Sequence, residues 1–388
     1  MRGELFPMRS FTCSLLALVA MVAESAACGG VTSSAPAGDD AGSLPPPVTE
    51  GGVPGSVCGR PFPVDIPVAG RDAFGYPPYA TDGCSLVYVR GVDAPGTGEL
   101  RLRNLSDGTE STLAPSSEKP SRPSIAGTTI AWEAMQGTSS IVRATEAGEA
   151  IAVAGSFDHA GEPRVAAGIV VFTGWKTSDP LGDTDVFALD TKSGKIEVIA
   201  AGPGQQRFTD VSDAFIAITD FAEDADGTFN DNPSIHDLAD IVIYDRAART
   251  LTTRKRPGKQ AFPVLASGTH LGWLDWGGIS PMPKLTEFNL RSGAIVGPNA
   301  EDVFVELIHA SGYIRPAARN GMLQWVTRSE ATLVTSLRHA PADGSSAPSS
   351  FTGLDGLDLA DPSASATLTV VATRASGGGP QLLRGLAR

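Results

Sequence analysis

The chain has 388 residues, of which 41% are hydrophobic, and it carries a formal net charge of −13 at pH 7. A protein that binds nucleic acid needs a basic stripe to neutralise phosphates, so this acidic balance argues against a nucleic-acid partner. The 44 glycines and 29 prolines suit a fold with many tight turns. We interpret the densest basic spot, RKRPGK at residues 254–259, as a solvated turn between strands.

Residues 1–27 are expected to be an export signal. Basic residues lie in its n-region, and the apolar run at residues 15–22 is shorter than the ~20 residues that a membrane-spanning helix needs. Small residues then lead to Cys28. Met8 is an alternative start, because the signal that begins there is more compact.

The segment SAACGG at residues 25–30 resembles the processing site of bacterial lipoproteins, although Ser25 stands where that family prefers Leu. The resemblance implies that the thiol of Cys28 is acylated and that Cys28 becomes the new N-terminus. Gly29 is not the Asp that commonly signals inner-membrane retention, so the resemblance implies an outer-membrane address. The alternative is ordinary cleavage nearby, which would leave a secreted protein.

Residues 28–57 form a polar segment rich in Gly, Ser and Pro. Such a composition supplies no side chains for a core, so the segment is predicted to be a flexible tether. This tether would join the lipidated Cys28 to a folded domain in residues 58–388.

A repeat unit occupies most of that domain. In each copy a proline comes about five residues before a glycine, and an apolar strand that ends in an aromatic residue follows, as in PRVAAGIVVF from Pro163. We call this proline, or the residue in its place, the anchor of the repeat. The anchors are Pro78, Pro123, Pro163, Thr209, Pro263, Pro316 and Pro362. The copies at Thr209 and Pro362 are degenerate.

A second feature supports this register. An Asn or Asp closes a later strand and a Gly follows four residues on, in the pairs Asn104/Gly108, Asp190/Gly194 and Asn289/Gly293. Asn and Asp side chains bond the backbone two residues on, and Gly accepts positive φ, so each pair predicts a hairpin turn.

The anchors fall 40 to 54 residues apart, with three or four short strands in each copy. This period indicates an all-β fold, a seven-bladed β-propeller with blades of about 40–54 residues. Only 26 residues follow the last anchor, which is less than a blade. The strand-like residues 62–68 are therefore predicted to complete the last blade and close the ring, since closure removes exposed sheet edges. The alternative is that they are linker.

Three tryptophans and one phenylalanine lie at or next to the aromatic position of the repeat. Trp132, Phe172 and Trp325 occupy its aromatic position, and Trp273 lies one place beyond it, so all four are expected in the core. Trp276 is followed by two glycines in a loop, where it could stack on a ligand at a face of the ring. The alternative is an ordinary packing role.

The blade pattern resembles the TolB-like propeller repeat. The matching segments are residues 81–83, 130–132, 185–190 and 240–245, and the resemblance covers about residues 70–388. It implies protein–protein docking on the faces of the propeller and carries over no catalytic residue. TolB itself has a separate N-terminal domain, whereas residues 28–57 here read as a tether, which puts a Tol–Pal role in doubt.

The cysteine count fits an oxidising compartment. Cys13 lies in the signal and Cys28 is assigned to lipidation, which leaves the even pair Cys58 and Cys84. A bridge between them would close a loop of about 26 residues and stabilise the fold by roughly 3 kcal/mol in the chain-entropy model. Two free thiols are the alternative.

Seven acidic residues and no Lys or Arg lie in residues 220–240. Carboxylates close together repel one another, and a bound Ca²⁺ would relieve the repulsion. The sequence DADG at residues 224–227 is similar to the opening of a calcium loop, although the rest of the EF-hand pattern is absent. The candidate ligands are Asp220, Asp224, Asp226 and Asp231. A solvated acidic loop is the alternative.

The sequence contains no nucleophile elbow G-x-S-x-G, no H-E-x-x-H zinc motif and no phosphate-binding glycine loop. We therefore predict a non-enzymatic, lipid-anchored envelope propeller that binds an envelope protein or glycan as a scaffold module, with no cofactor other than Ca²⁺. The alternative is a propeller that binds or cleaves polysaccharide. A buried carboxylate pair with raised pKa would favour that alternative.

Overall fold

The computed structural model describes residues 62, 66–72, 75–91, 97–177, 183–224, 227, 238–277, 287–296, 302–309, 314–329, 331–354, 357–375 and 380–387. Within these residues the chain forms seven antiparallel sheets, and their innermost strands line one central cavity. The predicted seven-bladed β-propeller is confirmed.

Some predictions concern residues outside these ranges. The export signal, the tether, Cys28 and Cys58 all lie outside the described residues. Among the residues that are described, no helix has the length and apolar character needed to cross a membrane.

The first three blades each contain four strands in sequence order from the centre outward. Blade one contains β2 (Tyr79–Thr81), β3 (Ser85–Arg90), β4 (Glu99–Asn104) and β5 (Glu110–Ala114). Blade two contains β6 (Ser121–Ala126), β7 (Thr129–Gln136), β8 (Ser139–Glu146) and β9 (Glu149–Ile151), after a short 3-10 turn at Ser116–Glu118. Blade three contains β10 (His159–Ala166), β11 (Ile169–Trp175), β12 (Asp185–Asp190) and β13 (Ile196–Ala200).

Blades four to six follow the same order. Blade four contains β14 (Gln206–Val211), β15 (Phe215–Asp220), β16 (Asp240–Asp245) and β17 (Thr250–Arg254). Blade five contains β18 (Gln260–Leu265), β19 (His270–Asp275), β20 (Glu287–Ala294) and β21 (Val303–His309). Blade six contains β22 (Ala317–Arg319), β23 (Met322–Arg328), β24 (Thr335–Pro341) and β25 (Ser349–Ser350).

Blade seven combines the two ends of the ring. Its strands are β26 (Leu357–Leu359), β27 (Ser363–Ala364), β28 (Leu368–Ala375), β29 (Gln381–Ala387) and β1 (Ile66–Val68). The short strands β26 and β27 both pair with β28 and together form the inner edge. The outermost strand is β1, which pairs antiparallel with β29 so that Ile66 lies opposite Leu383. The predicted closure of the ring by an N-terminal strand is therefore confirmed.

The anchors lie in or beside the innermost strands. In the five copies that have the repeat glycine, it lies in the turn to the second strand. In blade three, Pro163 lies in β10, and Gly168 has a φ of 73° in the turn to β11. A residue with a side chain is strained at this φ. The segment from anchor to aromatic residue thus contains two strands, not the single strand predicted, because this glycine reverses the chain between them.

Two of the three predicted Asx–Gly turns are correct. The backbone N–H of Gly194 donates to the carbonyl of Asp190 at 2.9 Å, and Gly108 bonds Asn104 in the same way. Asn289 and Gly293 both lie inside β20, so the third turn is wrong. A Cβ at Gly293 would lie 2.5 Å from Oδ1 of Asp302, so close packing explains this glycine.

The core lies between neighbouring blades rather than at the centre of the ring. One cluster, for example, joins Ile169 and Val171 of blade three to Ile216 and Val242 of blade four. The four aromatic residues predicted in the core, Trp132, Phe172, Trp273 and Trp325, are all buried. Each blade therefore depends on its two neighbours for the burial of its apolar faces.

Candidate functional site: the central cavity

The seven inner strands surround a cavity of about 130 Å³. Anchors and the residues that follow them provide most of its wall. Most of these side chains are small or apolar, but four are charged. The charged lining residues are Arg164, Asp210, Arg315 and Arg319.

Four inner strands contain a β-bulge immediately before or at the anchor. In each, the residue before the anchor has a positive φ: Arg122 at 50°, Glu162 at 55°, Phe208 at 53° and Phe262 at 56°. This backbone conformation is uncommon for residues other than glycine. A bulge changes the direction of a side chain and leaves a backbone group without its strand partner. Thr209, a degenerate anchor in the sequence, has the same bulge as the prolines.

The backbone N–H groups at three of these bulges bond side chains of the preceding blade. The N–H of Glu162 donates to Glu133 at 3.1 Å, and the N–H of Phe208 donates to Glu162 at 3.1 Å. The N–H of Phe262 donates to the hydroxyl of Thr219 at 3.3 Å. Buried backbone donors are costly when unpaired, so these bonds tie each bulge to its neighbour.

The residues that precede the seven anchors form what we call the central layer. Its members are Pro77, Arg122, Glu162, Phe208, Phe262, Arg315 and Asp361. From Arg122 to Arg315, consecutive members are in contact across blades. Arg122 lies 3.5 Å from the carboxylate of Glu162, the rings of Phe208 and Phe262 are 4.5 Å apart, and Arg315 lies 5.1 Å from the ring of Phe262.

Glu162 is the buried anion of this layer. Burial alone would raise the pKa of its carboxyl, but the charges of Arg207 and Arg122 outweigh burial and lower the pKa to about 2. Arg207 pairs directly with one carboxylate oxygen. Glu162 therefore stays ionised and stabilises the contacts between blades. It is unsuited to donate a proton at neutral pH.

Arg315 stacks on Tyr76, with its guanidinium carbon 3.7 Å from the ring centroid. Arg122 and Arg164 lie 4.7 and 4.6 Å from the same centroid. Burial raises the pKa of Tyr76 to about 12, although the neighbouring arginines oppose this rise. Three guanidinium groups thus surround one aromatic ring, an arrangement that cation–π attraction favours.

Two further carboxylates belong to the site. Burial raises the pKa of Asp210, against the hydrogen bond from the N–H of Leu265 and the charge of Arg164. Burial raises the pKa of Asp361 to about 6, although Arg71 lies 3.2 Å away. The two carboxylates belong to blades four and seven, on different sides of the ring.

The central layer was not predicted from the sequence, although a signal for it exists. Alignment on the anchors places four charged residues, Arg122, Glu162, Arg315 and Asp361, directly before an anchor on otherwise apolar inner strands. Buried charged side chains are costly unless they are paired, so charges at these positions indicate a polar site.

Trp276 lies in the interior. It is 6% exposed, and its ring packs on Phe288 with centroids 4.9 Å apart and lies below the ammonium of Lys259 at 5.1 Å. The structure therefore leaves little of the ring for contact with a ligand at a face. A ligand-binding role for Trp276 stays a prediction.

The acidic segment of blade four is described only in part. Asp226 and Asp231 lie outside the described residues. Asp224 accepts the N–H groups of Gly227 and Leu238 at 3.1 and 2.7 Å, and Asp220 accepts the N–H of Ala222 at 3.0 Å. In the part of the chain with described structure, no three His, Cys, Asp or Glu side chains are grouped to hold a metal ion. Calcium binding stays a prediction.

The other predicted features are placed as follows. Cys84 is in a disulfide, and its partner lies outside the described residues, so the pairing with Cys58 stays a prediction. The segment 254–259 connects two strands but is solvated only in part: Lys255 is exposed, whereas Arg254 is buried against Asp302 and Arg256 reaches the same carboxylate at 2.8 Å. Both arginines pair with the buried carboxylate of Asp302, which keeps them against the folded domain.

The sequence matches no protein-family model and no curated protein. Among solved structures, the fold is similar to the β-propeller domain of the Trilobed protease from Pyrococcus furiosus, at 12% identity and a TM-score of 0.56 over 80% of this chain and 93% of that chain. That propeller is described as having an open velcro topology, whereas β1 here pairs with β29.

The fold is also similar to Pyrococcus horikoshii acylaminoacyl peptidase, at 11% identity and a TM-score of 0.57 over 80% of this chain and 51% of that chain. A third match is TolB from Acinetobacter baumannii, at 14% identity and a TM-score of 0.44 over 68% of this chain and 62% of that chain. At these identities the two matches with TM-scores above 0.5 show the propeller fold alone.

Proposed function

We propose that this chain is a non-enzymatic envelope propeller of the TolB-like kind, anchored by a lipid on Cys28, which binds another envelope protein. The observation that carries the proposal is the small size of the central cavity. The central cavity has a volume of about 130 Å³. Pockets for organic ligands usually measure roughly 300–1,000 Å³, so a partner of larger size has to bind outside this cavity.

The outer strand of blade five offers an apolar surface for such a partner. A bulge at Val305 places Phe304 and Leu307 on the same face of β21. Phe304 is 53% exposed and Leu307 is 43% exposed. Exposed apolar side chains that lie together on an edge strand are typical of surfaces that a protein partner covers.

The chemistry of the site supports a binding role over a hydrolytic one. A glycoside hydrolase needs two carboxylates about 5–9.5 Å apart, one of which keeps a proton. Asp210 and Asp361 have raised pKa values, but each is engaged, by the N–H of Leu265 at 2.7 Å and by Arg71 at 3.2 Å. The peptidase match is to a protein of which this chain covers only 51%, so peptidase activity does not transfer with the fold.

The proposal is tested by affinity capture from an envelope extract with the full chain as bait. We compare the wild type with a Phe304→Asp/Leu307→Asp double variant and with Val198→Asp. Val198 is a matched control because it is 56% exposed on β13, the outer strand of another blade. A protein captured by the wild type and the control, and lost with the double variant, supports the proposal.

Two outcomes would contradict it. If a folded bait captures no specific protein, the polysaccharide-binding alternative gains weight and glycan arrays follow. If the double variant captures the same protein as the wild type, the partner does not dock on β21.

The lipid anchor has its own test. A Cys28→Ser variant is expected to move from the membrane fraction to the soluble envelope fraction, because a lipid chain needs the thiol of Cys28. A variant that stays in the membrane fraction would show that the anchor assignment is wrong.

A further inference from the structure

The wall of the central cavity has more positive than negative charge. Its charged groups are three arginines and one aspartate. The carboxyl of Asp210 is also held toward its neutral form by burial, which raises its pKa. This local excess of positive charge occurs in a chain whose formal net charge is −13.

Arg315 is the most deeply buried of the lining arginines, at 4% exposure. Its Nη1 has no hydrogen-bond partner among the described residues, and none of their carboxylates pairs with it. The adjacent carboxylates of Glu162 and Asp361 are already paired with other arginines. A buried charge without a hydrogen-bonded partner is costly, so Arg315 is poised to accept an anion.

Arg164 lies beside Arg315 in the same wall. Within the described part of the chain its guanidinium makes one hydrogen bond, to the carbonyl of Pro163 at 3.1 Å. Burial and repulsion by Arg315 lower the pKa of Arg164 to about 10. Two guanidinium groups that repel each other are both relieved by one anion that contacts both.

We infer that the central cavity binds a small oxyanion of the phosphate or carboxylate class between Arg164 and Arg315. The planar guanidinium group suits oxyanions because two of its N–H groups can bond two oxygens at once. A cavity of about 130 Å³ admits an ion of this size and excludes a larger metabolite. The inference is independent of the partner proposed for β21.

The first experiment measures thermal unfolding of the full chain in sodium phosphate, in sodium succinate and in sodium chloride at matched ionic strength. Binding to the folded state alone raises the unfolding midpoint as the anion concentration exceeds Kd. We expect a rise over chloride with phosphate, with succinate or with both. The anion that gives the larger rise identifies the class, and isothermal titration then gives its Kd.

Three variants assign the site. Arg164→Gln and Arg315→Gln should each weaken binding of that anion by about 10- to 100-fold, as expected for loss of a charged hydrogen-bond donor. Arg249→Gln is the matched control, because Arg249 is exposed and pairs with Glu197 at 2.8 Å on the outer part of the blades. It should leave the anion affinity unchanged.

A fourth variant keeps the test decisive if Arg315→Gln does not fold. Ala317 lines the cavity. Ala317→Glu brings a carboxylate of the chain itself to the arginines, so it should remove the response to added anion. The inference is overturned if neither anion raises the wild-type midpoint over chloride. It is also overturned if the folded Arg164→Gln and Ala317→Glu variants respond as the wild type does.

Discussion

The carboxylate of Glu162 accepts the backbone N–H of Phe208 at 3.1 Å. A side chain of blade three thereby completes a hydrogen bond that the bulge in blade four leaves open. The same carboxylate pairs with Arg207 and lies 3.5 Å from Arg122. One buried anion thus connects blades two, three and four.

Replacement of Glu162 should be strongly destabilising. Glu162→Gln keeps the size of the side chain but leaves its arginine partners without their anion, and loss of one partner of a buried pair costs about 3–5 kcal/mol. The free energy of unfolding, measured in urea, should fall by that order. The control is Glu197→Gln, whose exposed pair with Arg249 should contribute about 1 kcal/mol or less. Equal effects of the two variants would contradict the role of Glu162.

Asp361 should make the protein less stable as pH rises from 4 to 7. Its folded pKa of about 6 lies above the ordinary value of 3.8, because burial outweighs the charge of Arg71. The stability that the protonated carboxyl of Asp361 contributes is therefore fully present below pH 3.8 and is lost as pH rises through 6. Asp361→Asn should gain stability over the wild type, by up to about 3 kcal/mol, between pH 4 and 8. A difference between the two proteins that does not change with pH would refute this prediction.

The closing strand should contribute to stability despite its three residues. Ile66 is buried where β1 pairs with β29. Ile66→Ala should lower the free energy of unfolding by about 2–5 kcal/mol, the usual cost of such a truncation in a core. Val198→Ala, on an exposed outer strand, should change it by no more than about 0.5 kcal/mol. If the two variants unfold at the same urea concentration, β1 does not hold the ring closed.

The disulfide of Cys84 is predicted to pair with Cys58. Mass mapping of peptides from the non-reduced protein should find the two cysteines in one linked pair. Reduction, or Cys84→Ser, should lower stability by roughly 3 kcal/mol. Linkage of Cys84 to a different cysteine would show that the pairing is wrong, although the bridge itself would remain.

Calcium is predicted to bind the acidic segment of blade four. Added Ca²⁺ should raise the unfolding midpoint, and a chelator should reverse the rise, because the ion relieves repulsion among carboxylates. Asp231→Asn should abolish this response, whereas Asp358→Asn, in β26 of blade seven, should retain it. An unchanged midpoint in the wild type would remove the proposed site.

The sequence predicts the ring well because its information is local and repeated. Pro163 and Gly168 set the register of one repeat, and the shortage of residues after Pro362 indicates the closing strand. Two errors share one cause. Gly293 looks like a turn glycine but is required by the approach of Asp302, and residues 254–259 look solvated although they reach buried acids. Contacts between distant residues decide both, and a local pattern does not contain them.

The candidate site could not be predicted from the sequence for the same reason. Arg315 and Arg164 belong to different blades, and neither is part of a motif. Only the arrangement of blades around the axis places both in one wall. Their positions relative to the anchors, one residue before Pro316 and one after Pro163, become meaningful once that arrangement is known.

The backbone hydrogen bonds that join three of the bulges to a neighbouring blade share one direction along the chain. At the bulges of blades three, four and five, the acceptor belongs to the blade that a ribosome makes first. Each new blade can therefore dock on a finished template as it emerges, and domains generally form in this order during synthesis. Between blades seven and one the acceptor belongs to the blade that is made last, because the N–H of Thr81 donates to the hydroxyl of Ser363 at 3.2 Å. The ring can thus lock only after the last segment has left the ribosome.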